Sequence, residues 1–136
     1  MERSASAVWN GDLKDGKGSI STQSGLLSEA PYSFVTRFEN GKGTNPEELI
    51  AAAHAGCFTM ATSFALGAAG FTPDTLETSC VVTLENGSIT SSHLTLTAKV
   101  PGISKEQFDT VVKGAKETCP ISKLFNTQID LEATLL

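Results

Sequence analysis

The sequence predicts an α+β domain in which antiparallel sheets pack on one long central helix and on a second, shorter helix. Three observations predict it: short alternating segments begin the chain, a run of small and apolar residues follows at 46–69, and a two-residue period takes over at 75–100. Strands and helices do not alternate as βαβ units, which favours antiparallel sheet. The 136 residues are enough for one core, so we assign residues 1–136 to a single domain.

The N-terminal segments predict a hairpin and a third strand. Residues 4–9 alternate in side-chain type, which predicts a first strand. Residues 10–12 (Asn-Gly-Asp) are a turn signal, and residues 16–22 are predicted as the second strand of the hairpin. Residues 31–38 alternate aromatic and polar side chains, which predicts a third strand with Arg37 opposite its aromatic face.

A long helix is predicted from residue 46 to about residue 69. Asn45 caps its first turn, and Glu47 and Glu48 complement the positive end of the helix dipole. Gly70 ends the helix. Its interior is small and apolar but contains too many polar residues for a membrane span.

The second half of the chain predicts a hairpin, a helix and a closing strand. Residues 75–85 and 91–100 alternate inward apolar and outward polar side chains. The Asn-Gly pair at 86–87 between them is the strongest hairpin signal in the chain. Ser104 caps a helix whose apolar residues recur at helical spacing, and residues 127–136 alternate as a last strand.

Composition and charge exclude several classes of function. The net charge of −5, with ten scattered Lys and Arg residues, argues against nucleic acid or an anionic membrane as partner. The N-terminus lacks a basic segment followed by an apolar run, so we expect no signal peptide and a cytoplasmic protein. Three widely spaced cysteines do not suggest a secreted disulfide framework. Only His54 and Cys57 are close enough in sequence to suggest a metal site, so none is expected.

The three cysteines differ in their sequence context. Cys80 is in phase with the apolar face of its strand and is interpreted as a core residue. Cys57 follows His54 by three residues within the long helix, a spacing that permits a Cys–His nucleophile pair. Cys119 precedes Pro120, the arrangement of a helix N-cap, where backbone N–H groups stabilise a thiolate. Taken alone, Cys57 is also explained by packing and Cys119 by a helix end.

A specific set of motifs runs through nearly the whole chain. It comprises NPEELIAAAHAGCF at 45–58, a distant CP at 119–120, AVWNGDLKDGKGSIST at 7–22, TRFE at 36–39 and AKVPGIS at 98–104. In this order the motifs resemble the OsmC/Ohr family, the osmotically induced and organic-hydroperoxide-resistance proteins. The arginine in TRFE makes the chain most similar to the OsmC (osmotically induced protein C) branch of peroxidases. The resemblance implies an OsmC-like fold and an intertwined homodimer.

The same resemblance implies the reduction of organic hydroperoxides, and less efficiently of inorganic ones, by a pair of cysteines. Cys57 matches the peroxidatic cysteine and Cys119 the resolving one, so the implied cycle passes through a Cys57 sulfenic acid and a Cys57–Cys119 disulfide. Arg37 matches the active-site arginine, and Glu47 matches the acid that holds it. No bound cofactor is implied. An external thiol is the reductant, a lipoyl-type dithiol in the Ohr branch.

Helix geometry then predicts that one chain does not complete the site. Cys57 lies too far inside its helix to gain from the helix dipole, so its thiolate needs a cation such as Arg37. Glu47 and Cys57 are ten residues apart, about 15 Å along a straight helix, and do not readily share one guanidinium. Two such helices packed antiparallel across a two-fold axis near Ala52 would place Glu47 of one chain level with Cys57 of the other. We therefore predict an obligate homodimer with composite sites, in which the chain that supplies Glu47 and Arg37 to each site is left open.

Apolar residues predict a substrate pocket around the thiol, suited to alkyl or aryl hydroperoxides. The candidates are Ile50, Phe58, Met60, Ala61, Phe64 and Phe125. Two other functions stay open from the residues alone. One is a non-catalytic dimer that binds small hydrophobic ligands, and the other is a hydrolase or acyl transferase that uses Cys57 with His54.

Overall fold

The computed structural model describes residues Met1–Leu136, which divide into two units, Met1–Leu49 and Ile50–Leu136. The first unit contains a three-stranded antiparallel sheet in the order β1-β2-β3. Its elements are β1 (Ala5–Asn10), β2 (Lys17–Thr22), β3 (Ala30–Tyr32) and a short helix, α1 (Phe34–Phe38). The predicted N-terminal hairpin is confirmed.

The predicted third strand is wrong in its second half. Only Ala30–Tyr32 forms β3, and Phe34–Phe38 is helical. The Ser33 side chain accepts a 3.3 Å hydrogen bond from the Thr36 backbone N–H, and Thr36 Oγ1 accepts a 2.8 Å bond from the Ser33 N–H. This reciprocal capping box begins a helix where the aromatic alternation predicted a strand. Arg37 consequently lies in the last turn of α1.

The long helix, α2, spans Pro46–Ala68 and is confirmed close to its predicted bounds. Asn45 caps it by accepting a 2.8 Å hydrogen bond from the Glu48 backbone N–H. Gly70 follows its end with a φ of 91°, a left-handed conformation that glycine adopts without strain. By length and by a mean hydropathy of 1.5, the helix resembles a membrane span as much as the core helix of a soluble protein. Its fully buried residues form one narrow stripe: His54, Phe58, Thr62 and Leu66.

The second unit contains a sheet of β4 (Thr75–Glu85), β5 (Ser88–Lys99) and β6 (Gln128–Leu135), with β5 in the centre. The hairpin between β4 and β5 is confirmed, and its turn residues Asn86 and Gly87 have φ of 49° and 78°, as a type I′ turn requires.

The α+β class is also confirmed, with one difference: β6 pairs with β5 in parallel, so this sheet is mixed. The chain crosses over through α3 (Lys105–Thr118) and α4 (Pro120–Leu124) before β6 begins, and such crossovers join parallel strands.

The core of the second unit is formed by this sheet together with α2 and α3. Alternate residues of β5 are fully buried, as their period predicts. Cys119, at the end of α3, belongs to the same cluster, and Cys57 packs against it from α2. The core thus holds the middle of α2 against the end of α3. Its principal members are Phe58 and Leu66 from α2, Leu94, Leu96 and Ala98 from β5, and Phe108, Val112 and Ala115 from α3.

Candidate active site

Two free thiols meet where α2 passes the junction of α3 and α4. Cys119 ends α3 and is the N-cap of α4, and Pro120 is the first residue of α4, as the sequence predicts. Proline suits this position because the first helical residue has no intrahelical acceptor for its N–H. Cys119 is fully buried, whereas Cys57 is half-buried, and each side chain affects the pKa of the other.

The surroundings of the pair favour negative charge on Cys119. Burial raises the pKa of the Cys119 thiol, but donors around the sulfur outweigh it and the net pKa lies below its ordinary value. These donors are the Cys57 thiol, the Ser122 hydroxyl and the backbone N–H groups of Ser122 and Ile121. The Cys119 side chain forms no capping hydrogen bond with these N–H groups. Cys119 is the more acidic of the two thiols.

The pKa of the Cys57 thiol is shifted in the opposite direction. Burial, and then its hydrogen bond to Cys119, raise the pKa of the Cys57 thiol, against a smaller lowering effect of the Ile121 backbone N–H. Cys119 therefore loses its proton more readily than Cys57. No cation is among the groups that shift the pKa of the accessible thiol.

Arg37 and Glu47 form an ion pair within the first unit. Arg37 Nη2 and Nε donate to Glu47 Oε1 at 2.7 and 3.1 Å, which is a fork-like contact of the guanidinium on the carboxylate. The carboxylate side chain is 14% exposed and the arginine 38%. Arg37 also lines an aromatic pocket of about 320 Å³ with Trp9, Tyr32, Phe34 and Phe38. A capped α1 and the first turn of α2 therefore present an oriented guanidinium.

The predicted substrate residues do not lie together. Met60 and Phe64 line an open apolar groove of about 730 Å³ beside Cys57. Ile50 and Phe125 line a different pocket, of about 210 Å³. Phe58 is fully buried in the core. The groove beside the thiol is completed by Ala61, Ala65, Ala68, Thr118 and Pro120.

His54 forms no hydrogen bond with Cys57. It is fully buried, with Nδ1 2.7 Å from Ser92 Oγ and Nε2 2.8 Å from Ser122 Oγ, and its ring meets the edge of Phe125. Burial lowers the pKa of its imidazole, so the ring is neutral at physiological pH. Since both nitrogens are bonded to serines, the Cys57–His54 nucleophile pair is not formed.

The two serines were missed by sequence reasoning, although weak signals for both exist. Ser92 has the same strand phase as the inward Leu94 and Leu96, so a buried hydroxyl was to be expected there. Ser122 is three residues after the N-cap Cys119, the position from which a side chain reaches back to the cap.

The family assignment comes from comparison with known proteins. A family model described as OsmC-like protein matches residues 39–134. The chain is 47% identical over 139 residues to Peroxiredoxin OsmC of Escherichia coli K12, covering 99% of this chain and 97% of that protein. It is 34% identical over 92 residues to the organic hydroperoxide resistance protein OhrA of Bacillus subtilis, covering 66% of this chain and 65% of that protein.

Solved structures share the fold at lower sequence identity. An OsmC-like protein from Mycoplasma pneumoniae has a TM-score of 0.79 at 14% identity, covering 100% of this chain and 98% of its own. The organic hydroperoxide resistance protein OhrB of Bacillus subtilis has a TM-score of 0.65 at 24% identity, covering 98% of each chain. These structural similarities establish the fold of the chain.

Proposed function

Because this chain belongs to the OsmC-like family, we propose that it is a thiol-dependent peroxidase that reduces organic hydroperoxides and, less efficiently, inorganic ones. The observation that carries the proposal is that an accessible thiol, Cys57, packs against the core cluster that contains a buried thiol, Cys119. Relatives named Peroxiredoxin OsmC and organic hydroperoxide resistance protein support the same class of reaction.

The sequence of chemical steps follows from the exposure of the two sulfurs. Cys57 lines the open groove, so its thiolate attacks a peroxide oxygen, the O–O bond breaks, and the alcohol leaves after taking up a proton. Cys57 is left as a sulfenic acid. Buried Cys119 then attacks this sulfur, an S–S bond forms, and water leaves. An external thiol, such as a lipoyl-type dithiol, reduces the disulfide and restores both cysteines, so no metal or bound cofactor is needed.

Arg37 and Glu47 are proposed to activate Cys57. The thiol needs a nearby cation because burial and Cys119 both raise its pKa. Arginine is always charged, and its guanidinium can stabilise a thiolate and also donate to a peroxide oxygen. The ion pair with Glu47 holds the guanidinium in one orientation, which supports this role.

A homodimer is proposed to bring the ion pair of one protomer to the thiol of the other. Ten residues of α2 separate Glu47 from Cys57, about 15 Å along the helix axis. In support, α2 carries an exposed stripe in which Ala52 and Gly56 are small and Met60 and Phe64 are 76% and 81% exposed. Small residues allow two helix backbones to approach, and the large apolar side chains supply area to bury. Antiparallel α2 helices across a two-fold axis would create two equal sites and an intertwined dimer.

The substrate preference is proposed from the groove beside Cys57. Its lining is dominated by Met60, Phe64 and alanines, which offer apolar contact and no charged group. An alkyl or aryl chain would bury apolar surface there, whereas hydrogen peroxide would gain nothing from it. Ile50, Phe58 and Phe125 would then act through packing or through the second pocket.

The deciding experiment is mass spectrometry of the protein after one equivalent of cumene hydroperoxide. We expect a Cys57–Cys119 disulfide with Cys80 still a free thiol. Cys57→Ser should abolish peroxide consumption, and Cys119→Ser should consume one equivalent and stop. Cys80→Ala is the matched control and should form the disulfide in full yield.

Two outcomes contradict the proposal. Unchanged peroxide consumption by Cys57→Ser would exclude Cys57 as the nucleophile. The absence of any disulfide, together with cysteine-independent binding of hydrophobic compounds, would favour the non-catalytic ligand-binding dimer.

The whole chain is proposed to act as one OsmC-like domain, residues 1–136, in the cytoplasm. The similarity to Peroxiredoxin OsmC supports a soluble protein. The alignment with Peroxiredoxin OsmC covers 99% of the chain and therefore both of its units, which supports a single domain. A net charge of −5 supports the proposal that neither nucleic acid nor membrane is a partner.

A further inference from the structure

An aromatic pocket in the first unit has no part in the chemistry proposed above. Its volume is about 320 Å³, and its walls include Leu13 and Arg37 together with four aromatic side chains. A concave apolar pocket with a small number of polar groups is the usual form of a small-molecule site. The four aromatic residues are Trp9, Tyr32, Phe34 and Phe38.

The register of the first sheet builds one wall of this pocket from three neighbouring strands. Trp9 of β1 pairs with Gly18 of β2, and Gly18 pairs with Tyr32 of β3, so the two rings flank a residue without a side chain. The ring centroids are 5.4 Å apart. A Cβ atom at position 18 would lie 2.5 Å from the Tyr32 ring and 2.6 Å from the Trp9 ring, which is closer than atoms pack. Glycine at this position therefore allows the two rings to stand side by side.

Hydrogen bonds and ring contacts fix the orientation of the pocket walls. Trp9 Nε1 donates to the Gly11 carbonyl at 3.0 Å and to the Asp12 carbonyl at 3.3 Å, so the polar edge of the indole is satisfied within the chain. The ring centroids of Phe34 and Phe38 are 4.9 Å apart, with an interplanar angle of 47°. Walls that are already ordered lose little conformational entropy when a ligand binds.

Arg37 gives the pocket a polar group that can orient a ligand. Its Nε and Nη2 atoms donate to Glu47, which leaves Nη1 without a hydrogen-bond partner in the chain. The guanidinium carbon lies 5.2 Å from the centroid of the Phe38 ring. Because Glu47 balances the charge of Arg37, the pocket suits a neutral ligand with an oxygen acceptor better than a free anion.

We propose that this pocket binds the aryl group of the peroxide and makes aryl hydroperoxides the preferred substrates, with Trp9 and Tyr32 as the residues that determine this specificity. The inference rests on the proposed peroxidase function and its composite site, because Arg37 belongs both to the pocket and to the ion pair assigned to Cys57 of the other protomer. The groove beside Cys57 offers apolar contact to alkyl and aryl chains alike. Aromatic rings also attract one another through offset or edge contacts, so the pocket distinguishes the two classes.

The test uses the fluorescence of Trp9, the only tryptophan in the chain. Cys57→Ser protein is titrated with 2-phenyl-2-propanol, the alcohol that cumene hydroperoxide yields on reduction, and with tert-butanol, which lacks the ring. We expect the aryl alcohol to change the emission of Trp9 and to bind about tenfold more tightly than tert-butanol. Equal affinities for the two alcohols, or an emission that neither alcohol changes, would overturn the proposal.

Substitutions at Tyr32 then test the ring in turnover. Tyr32→Leu should lower kcat/KM for cumene hydroperoxide roughly two- to tenfold and leave the value for tert-butyl hydroperoxide nearly unchanged, because only the aryl substrate loses a ring contact. Tyr32→Phe keeps the ring and should retain the aryl preference. Phe71→Leu is the matched control. Phe71 packs against the core of the second unit, so its loss should not change the ratio of the two kcat/KM values.

The outcomes separate the pocket from the peroxidase function. If wild-type protein consumes neither hydroperoxide while Cys57→Ser binds the aryl alcohol selectively, the peroxidase function fails and the aryl site is supported. If the wild type consumes both hydroperoxides and Tyr32→Leu keeps the wild-type ratio of kcat/KM values, the role of the pocket is refuted and the peroxidase function stands. The titration of Cys57→Ser leaves the pocket unaltered, so it decides the question even if Tyr32→Leu does not fold.

Discussion

Removing Cys119 should make Cys57 more reactive at neutral pH. Burial raises the pKa of Cys57 most, and the Cys119 side chain raises it further by hydrogen bonding and by repelling a second negative charge. In Cys119→Ala both effects of the Cys119 side chain are absent, while the groove that exposes Cys57 is unchanged in its other walls. Cys57 therefore ionises more readily in the variant.

The expected size follows from two opposing terms. A hydrogen bond to a charged acceptor contributes about 1.5 kcal/mol at the low end of its range, or roughly tenfold in the thiolate fraction below the pKa. A thiolate of lower pKa is also a weaker nucleophile, with a Brønsted slope of about 0.5, which cancels about half of this gain on a logarithmic scale. The net increase is about threefold.

The assay is the rate of alkylation of Cys57 by iodoacetamide, followed by mass spectrometry of its peptide over a range of pH. Cys119 is fully buried, so the reagent reports on Cys57 in the wild type as well. Cys80→Ala is the control and should leave the rate as it is. A Cys119→Ala rate equal to or below the wild-type rate at neutral pH would show that Cys119 does not raise the pKa of Cys57.

Three further predictions concern the ion pair, the core and acid stability. Glu47→Gln should lower kcat/KM for cumene hydroperoxide about tenfold or more through a misoriented Arg37, yet cost at most about 1 kcal/mol in denaturant unfolding because the pair is partly exposed. Phe58→Ala should cost about 3–5 kcal/mol in the same unfolding experiment, because this ring is fully buried in the core. The lowered pKa of His54 means that the unfolded chain binds its proton more readily, so stability is fully present above pH 6.5 and declines as the pH falls below it. His54→Gln should flatten this decline, and a parallel decline in both proteins would contradict the assignment.

The predictions from sequence succeeded where the signal is local. The Asn-Gly turn, the two-residue period of β4 and β5 and the Cys-Pro cap each depend on a few adjacent residues, and each is confirmed. The strand prediction for residues 31–38 was wrong in its second half because two local signals compete there. The capping box of Ser33 and Thr36 begins a helix, although the aromatic alternation predicts a strand.

The sequence by itself determined the elements of this protein other than α1, the family to which it belongs and the cysteines worth testing, because periodicity, caps and ordered motifs each depend on residues that are close together in the chain. Only the tertiary structure decided that β6 runs parallel to β5, that Phe58 lies in the core, and that His54 faces Ser92 and Ser122 instead of Cys57. These facts depend on packing between elements that are distant in the chain. A pattern in one segment carries no information about which buried hydroxyl another segment will bring to it.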